Sequence, residues 1–331
     1  MLLYSIIIPV YNRPQELSEL LESIAGQEGE IPFEVTVVED GSDLTSERVV
    51  NQYKEKLNIK YCFKNNSGPG DSRNYGMQRS SGQYFMLFDS DCILPPDYLL
   101  KIDAALKAEH TDAYGGPDAA HPSFNVKQKS FNYAMTSLLS TGGLRGAEND
   151  KRKFQLRSFN MGLSAEAFKR TEGFAKQRIG EDIDLYFRLV DKGLKTRFFP
   201  DAFVYHKRRT SLGEFFAQTR NFGAARPILN RMHPESARLT YWLPSLFLIG
   251  LITAVILTYF GFYFFLIPYA LYVFAIVIDS TKKNRDFRVG LMSCLAVFCQ
   301  FFGYGSGFLR TSFRIYVQRK GNREAFPQMF A

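Results

Sequence analysis

Tyr84-Phe85-Met86-Leu87-Phe88-Asp89-Ser90-Asp91 is the stretch whose reading decides the fold. Its first five residues are continuously apolar, as in a strand buried on both faces. The two acids that follow are spaced i, i+2, which places both carboxylates on one side of an extended backbone. At the carboxyl end of a parallel strand they would open onto the ligand crevice of an α/β sheet. A pair of acids there suits a hard divalent cation that keeps waters and phosphates as its other ligands. The plainer alternative is that Asp91 only ends the strand ahead of Pro95-Pro96.

Outward from this stretch, the pattern repeats. Ser5-Ile6-Ile7-Ile8-Pro9-Val10 is a second buried strand, followed by a turn and a helix with Leu17, Leu20, Leu21 and Ile24 on one face. Phe33 to Val38 and Ile59 to Phe63 read as further strands, separated by a helix through Val49, Val50 and Tyr53. Strands alternating with helices predict a doubly wound, mostly parallel sheet. The loop Gly68-Pro69-Gly70 leads into a helix bearing Arg73, where free amides and a guanidinium favour phosphate. It is neither a dinucleotide fingerprint nor a P-loop, since the glycine spacing is wrong and no Walker lysine follows. Together with Pro9-Val10-Tyr11-Asn12, Glu39-Asp40-Gly41-Ser42 and Asp89-Ser90-Asp91, it predicts a nucleotide-diphosphate crevice.

The balance of 41 Lys and Arg against 33 Asp and Glu, a net charge of +8, suits nucleic acid, anionic lipid or phosphorylated substrates without choosing among them. Cys62, Cys92, Cys294 and Cys299 have no metal or redox spacing and read as reduced, structural thiols. No secretory signal opens the chain, so its N-terminal region is expected in the cytoplasm.

The ordered series Ser5-Ile-Ile-Ile-Pro-Val-Tyr-Asn12, Val38-Glu-Asp-Gly-Ser42, Gly68-Pro-Gly-Asp-Ser-Arg-Asn74 and Phe88-Asp-Ser-Asp91 resembles the family two glycosyltransferases, which have the GT-A (Rossmann-like) fold. Asn160-Met161-Gly162-Leu163 and Gly180-Glu181-Asp182 continue the resemblance, which covers most of residues 4 to 225. It implies that Pro9, Val10, Tyr11 and Asp40 hold the nucleotide base. It likewise implies Gly68 at the nucleotide sugar, Arg73 near the diphosphate or ribose, Asp89 near the ribose, Asn160 lining the sugar pocket, and Asp91 on a Mg or Mn ion. Glu181 and Asp182 open a helix, where first-turn acids commonly do no more than complement the dipole. Beside the upstream motifs, Asp182 is expected to be the general base and Glu181 a sugar or acceptor contact. His206, in Val204-Tyr205-His206-Lys207-Arg208-Arg209, is either a further metal ligand or an interfacial histidine among cations. Gln218-Thr-Arg-Asn-Phe-Gly223 falls where processive members carry Gln-x-x-Arg-Trp; Asn221 and Phe222 weaken the case for a processive synthase.

From Tyr241 to Ile278, 38 residues pass without Asp, Glu, Lys or Arg, enough for two short membrane passes turning near Gly261. Val289 to Leu309 is a third uncharged stretch, in which Gly303, Gly305 and Gly307 allow either close helix packing or a re-entrant break. Arg220, Arg226, Arg231 and Arg238 before the first pass place the preceding region in the cytoplasm by the positive-inside rule. A full third pass would export Arg310, Arg314, Arg319, Lys320 and Arg323, so a re-entrant segment is preferred. The expected domains are a GT-A catalytic domain at 1–225, a linker at 226–240, a membrane region of two or three segments at 241–310 and a basic tail at 311–331. The function expected is that of an inverting glycosyltransferase of the inner membrane, taking a nucleotide-diphosphate sugar to a lipid-linked acceptor and not touching nucleic acid. The alternatives are a processive synthase and a non-catalytic glycan-binding subunit.

Overall fold

The computed structural model describes residues 3–121, 123–142, 155–207 and 209–330. In chain order the elements are β1 (Tyr4–Val10), α1 (Pro14–Ala25), β2 (Phe33–Asp40), α2 (Glu47–Tyr53), β3 (Ile59–Lys64), α3 (Pro69–Met77), β4 (Tyr84–Phe88), β5 (Cys92–Ile93) and α4 (Tyr98–Ala108). They continue with β6 (Ala113–Gly115), β7 (Asp118–Ala119), α5 (Val126–Thr136), α6 (Leu138–Thr141), β8 (Asn160–Ser164), α7 (Ala165–Thr171), α8 (Glu181–Asp191), β9 (Thr196–Phe198), β10 (Val204–His206) and α9 (Leu212–Met232). Three long helices follow, α10 (Leu243–Tyr259), α11 (Ile267–Asn284) and α12 (Phe287–Ser312), before short helical turns close the described chain, among them Asn322–Ala325. Gly142-Gly143 and the charged run Glu148 to Lys153 read, from the sequence, as a loop; the run lies outside the described residues.

Two compact units result, residues 1–121 with 147–207 and residues 122–146 with 208–331. The first is built on a seven-stranded sheet of order β3-β2-β1-β4-β8-β6-β9. Its neighbours are parallel except around β8, which runs antiparallel to both β4 and β6. The sheet is buried on both faces, which the alternation of β1 shows: Ile6 and Ile8 pack with Leu17, Leu20 and Leu21 of α1, while Ile7 faces the opposite layer with Leu87 and Met161. A smaller sheet of order β5-β10-β7 sets His206 opposite Cys92, directly beside Asp91.

The spacing within α8 predicts an apolar face of Ile183, Phe187 and Val190 and an i, i+4 pair of Asp184 with Arg188; the structure departs from that face. Ile183 and Phe187 are buried, but Val190 is exposed and Leu185 and Leu189 fill the interior instead. The expected Asp184–Arg188 pair forms, at 2.9 Å, and Arg188 also ties down the carbonyls of Thr171 and Gly173.

In the second unit, Leu239–Tyr259, Tyr263–Asn284 and Phe287–Val317 are each long and apolar enough to cross a membrane. Gly261, at φ +91°, makes the turn between the first two. Residues 303–307 do not break the third segment. They lie inside one continuous helix because each glycine is a point of close approach to a neighbour. A Cβ at Gly303 would meet Phe216 O and Arg220 N, one at Gly307 would overlap Arg220 O, and one at Gly305 would press on Pro244 and Ser245. Of the two roles open to these glycines, packing is the one adopted.

Candidate active site

The carboxyl ends of β1, β2 and β4 deliver acids and cations that pair with one another. Asp89 Oδ1 accepts from Arg73 Nη2 at 2.5 Å, and Arg73 Nη1 reaches Glu181 Oε1 at 3.3 Å. Arg73 is almost wholly buried and also lies 5.4 Å from the centre of the Phe174 ring. Asp91 divides its oxygens: Oδ2 accepts from Arg13 Nη1 at 2.5 Å, and Oδ1 stands 3.1 Å from His206 Nε2. The same imidazole nitrogen is 4.0 Å from Asp89 Oδ2. The ring stacks on Phe159, centroids 4.8 Å apart, and its Nδ1 is 3.9 Å from Asp118 Oδ2. Both carboxylates come within reach of one imidazole, but from a turn after β4, closed by Cys92 N donating to Asp89 O at 3.0 Å, and not from the extended backbone the i, i+2 spacing anticipates.

Gly180, at φ +76°, turns the chain so that α8 begins with Glu181 and Asp182. Burial, and then the charge of Asp182, push the Glu181 carboxyl up to about 8, with Arg73 opposing the rise. Asp182 is the more exposed of the two; its Oδ2 stands 3.6 Å from Arg157 Nη1 and its Oδ1 accepts from Ile183 N at 2.8 Å.

On the side expected to meet the base, Pro9 and Val10 are the last buried residues of β1 and Tyr11 is half exposed. Asn12 adopts a left-handed conformation (φ 54°) that lets its N–H donate to Ser42 Oγ and its Oδ1 accept from Leu44 N, joining the first two loops. Asp40 is nearly buried and accepts from Lys64 Nζ, Ser67 N and Gly68 N, at 2.7, 2.9 and 2.9 Å. Its carboxylate therefore folds the 64–68 loop around itself, with Gly68 at φ +98°. Asn160 is fully buried: Oδ1 accepts from Tyr98 O–H, and Nδ2 donates to Pro117 O and Ala202 O. Two residues on, a Cβ at Gly162 would run into the Tyr114 ring. In this structure the Asn160-Met161-Gly162 motif braces the crevice from behind.

Residues 5–170, half of the chain, match the family described as glycosyl transferase family 2. The chain belongs to that family. A poly(ribitol-phosphate) beta-N-acetylglucosaminyltransferase, TarS of Staphylococcus aureus, is 34% identical over 115 residues, 34% of this chain and 20% of that protein. The minor teichoic acid biosynthesis protein GgaB of Bacillus subtilis is 25% identical over 219 residues, 65% of this chain and 24% of that protein. The chain thus spans about a fifth to a quarter of the length of these curated relatives. The fold is shared with a mannosyltransferase of Pyrobaculum calidifontis solved in complex with GDP-Man and Mn2+, at 17% identity and a TM-score of 0.51 over 68% of this chain and 64% of that one.

The donor set of this family-2 domain fits a divalent cation. Asp91, Cys92 and His206 each offer a ligand atom, and these lie within 4.8 Å of one another. Burial, then the charges of Asp91 and Asp89, hold the Cys92 thiol far above its ordinary value. That leaves the Asp91 carboxylate, a hard oxygen donor suited to Mg2+ or Mn2+, and the His206 imidazole, a borderline nitrogen donor that Mn2+ accepts more readily than Mg2+. Sequence reading missed Arg13, Asp118 and Arg157. Arg13 directly follows the Tyr11-Asn12 turn, a visible signal; Asp118 and Arg157 reach the site through β7 and the approach to β8, which no local pattern marks.

Proposed function

We propose that this chain transfers a sugar from a nucleotide-diphosphate donor to an acceptor hydroxyl with inversion at the anomeric carbon. The observation that supports this most is the meeting of Asp89, Asp91, His206, Arg73, Glu181 and Asp182 in one crevice, although they come from four elements. In this reading Asp91 and His206 hold a divalent metal, which when bound neutralises charge growing on the departing diphosphate. Arg73 fixes Asp89 and Glu181, so the crevice is ordered before the donor arrives. Pro9, Val10, Tyr11 and Asp40 receive the base, Gly68 and its loop face the diphosphate, and Asn160 acts from behind the sugar pocket. Asp182, in the exposed position of the acid pair, takes the hydroxyl proton as the acceptor oxygen bonds to the anomeric carbon and the bond to the diphosphate breaks.

The proposal extends to the membrane. α10 and α11 bury only 17% and 11% of their most apolar stretches, as helices facing lipid would, whereas α12 buries 44%. α12 is flanked by α9, which carries Glu214, Arg220, Arg226 and Arg231, and charges are costly in a bilayer core. In this reading α10 and α11 cross, α12 lies at the membrane surface, and Lys282, Lys283 and the basic tail stay in the cytoplasm with the catalytic domain of 1–225. The acceptor is lipid-linked. The test is to incubate the purified full-length chain with a panel of nucleotide sugars and Mn2+, following nucleotide release with and without lipid-linked acceptor. Release from none of the donors would defeat the reading.

A further inference from the structure

Three arginines reach acids in the crevice, and they are not held alike. The Arg73 side chain is 2% exposed, pairs with Asp89 and lies against the Phe174 ring. Arg157 stands 3.6 Å from Asp182, longer than a hydrogen bond. Arg13 makes one short contact, Nη1 to Asp91 Oδ2 at 2.5 Å, and its side chain is the most exposed of the three, at 33% against 2% and 20%. Among the described residues its guanidinium makes no other hydrogen bond.

The backbone at this position is anchored on both sides. Asn12 N–H donates to Ser42 Oγ at 2.8 Å, Asn12 Oδ1 accepts from Leu44 N at 3.0 Å, and Arg13 O accepts from Leu17 N at 3.1 Å. Pro14 then opens α1. What is left to move is the long side chain of Arg13.

Its partner is the acid on which charge matters most. Asp91 Oδ1 stands 3.1 Å from His206 Nε2, and carboxylate oxygens of Asp89 and Asp118 lie 4.0 and 3.9 Å from nitrogens of the same ring. A divalent cation held by Asp91 and His206 would share Asp91 with the Arg13 guanidinium. Two cations on one carboxylate repel, and a neighbouring cation changes how tightly a carboxylate holds another by about tenfold or more. A diphosphate relieves that repulsion, because it brings negative charge and oxygens that suit a guanidinium.

We propose that Arg13 is a donor-binding residue that gives up Asp91 for the diphosphate, so that cation and nucleotide diphosphate bind the crevice together and the cation alone binds weakly. The inference rests on the metal reading of the proposed function. No covalent bond changes in the exchange: the guanidinium releases Asp91 and pairs with a phosphate oxygen. The backbone anchors keep the Tyr11-Asn12 turn in place meanwhile.

The test is calorimetry on the full-length protein in detergent, first with MnCl2 alone and then, at saturating MnCl2, with UDP and with GDP. Arg13→Gln should bind Mn2+ alone at least about tenfold more tightly than the wild type. It should bind the nucleotide at least about tenfold more weakly, the loss of one charged hydrogen-bonded contact. Arg13→Lys, which keeps the charge, should hold Mn2+ as weakly as the wild type, a rescue that a merely structural role would not predict. If Arg13→Gln does not fold, Arg13→Met carries the same comparison. Mn2+ binding by Arg13→Gln equal to or weaker than that of the wild type overturns the sharing of Asp91. Nucleotide binding unchanged by the substitution overturns the exchange onto the diphosphate. Either result would leave the proposed function standing, whereas a wild type that binds neither UDP nor GDP in saturating Mn2+ would defeat that reading and this one with it.

Discussion

The crevice of the first unit and the α9–α12 seam of the second handle buried polarity in opposite ways. In the crevice the cations face anions: Arg13 with Asp91, Arg73 with Asp89, Arg157 with Asp182. In the seam, glycines bring backbones together and one guanidinium is buried without a carboxylate. The lesson concerns what each region is prepared for. Under the proposed function, paired charges can be redistributed onto an incoming diphosphate and cation, whereas the glycine-lined backbone contacts leave no room for a Cβ unless the helices shift.

The largest effect should come from breaking the crevice at Asp91. Asp91→Asn should lower kcat for sugar transfer by about three decades or more, since a lost metal contact is worth several kcal/mol. Excess EDTA should do the same to the wild type, and full activity in EDTA would remove the metal from the account. At the seam, Gly307→Leu should destabilise the second unit by about 1–3 kcal/mol or more, because its Cβ would overlap the backbone of α9. A lower midpoint in detergent unfolding checks this, and an unchanged midpoint would show that the helices can part without cost.

A smaller effect follows from Glu181. Its carboxyl holds a proton in the folded chain up to about pH 8, against an ordinary value of 4.5. A raised carboxyl favours folding fully below its unfolded value, and that contribution fades as pH climbs from about 4.5 through about 8. Wild-type stability should therefore decline toward pH 8 more steeply than that of Glu181→Gln. Parallel pH profiles for the two proteins would place the alkaline limb elsewhere.

The parallel sheet was legible because β1 and β4 are buried on both faces and leave near-continuous apolar runs, and β2 buries Val35, Val37 and Val38 between them and β3. The charged loops were legible because they fall at the ends of those runs. Asp118 was not, since its partner His206 arrives from a strand 88 positions later in the chain and only the small sheet brings them together. The commitment of Asp40 to Lys64 and the 64–68 loop was also invisible, because a carboxylate's partners depend on how the loop closes. Val190 misled for a simpler reason: it keeps the helical spacing of Ile183 and Phe187 but drifts off the buried stripe, where Leu185 and Leu189 sit. For Gly303, Gly305 and Gly307 the sequence held both outcomes, and contact with α9 and α10 decided between them.

The division of labour within the crevice is most directly tested with Asp182→Asn in the full-length protein. Calorimetry with nucleotide diphosphate and Mn2+ would be set beside turnover and the anomeric configuration of the product by NMR. Binding close to that of the wild type, inverted product, and kcat reduced by about two to four decades are expected if Asp182 is the base. A variant that turns over at nearly the wild-type rate, or a wild-type product of retained configuration, would contradict the account.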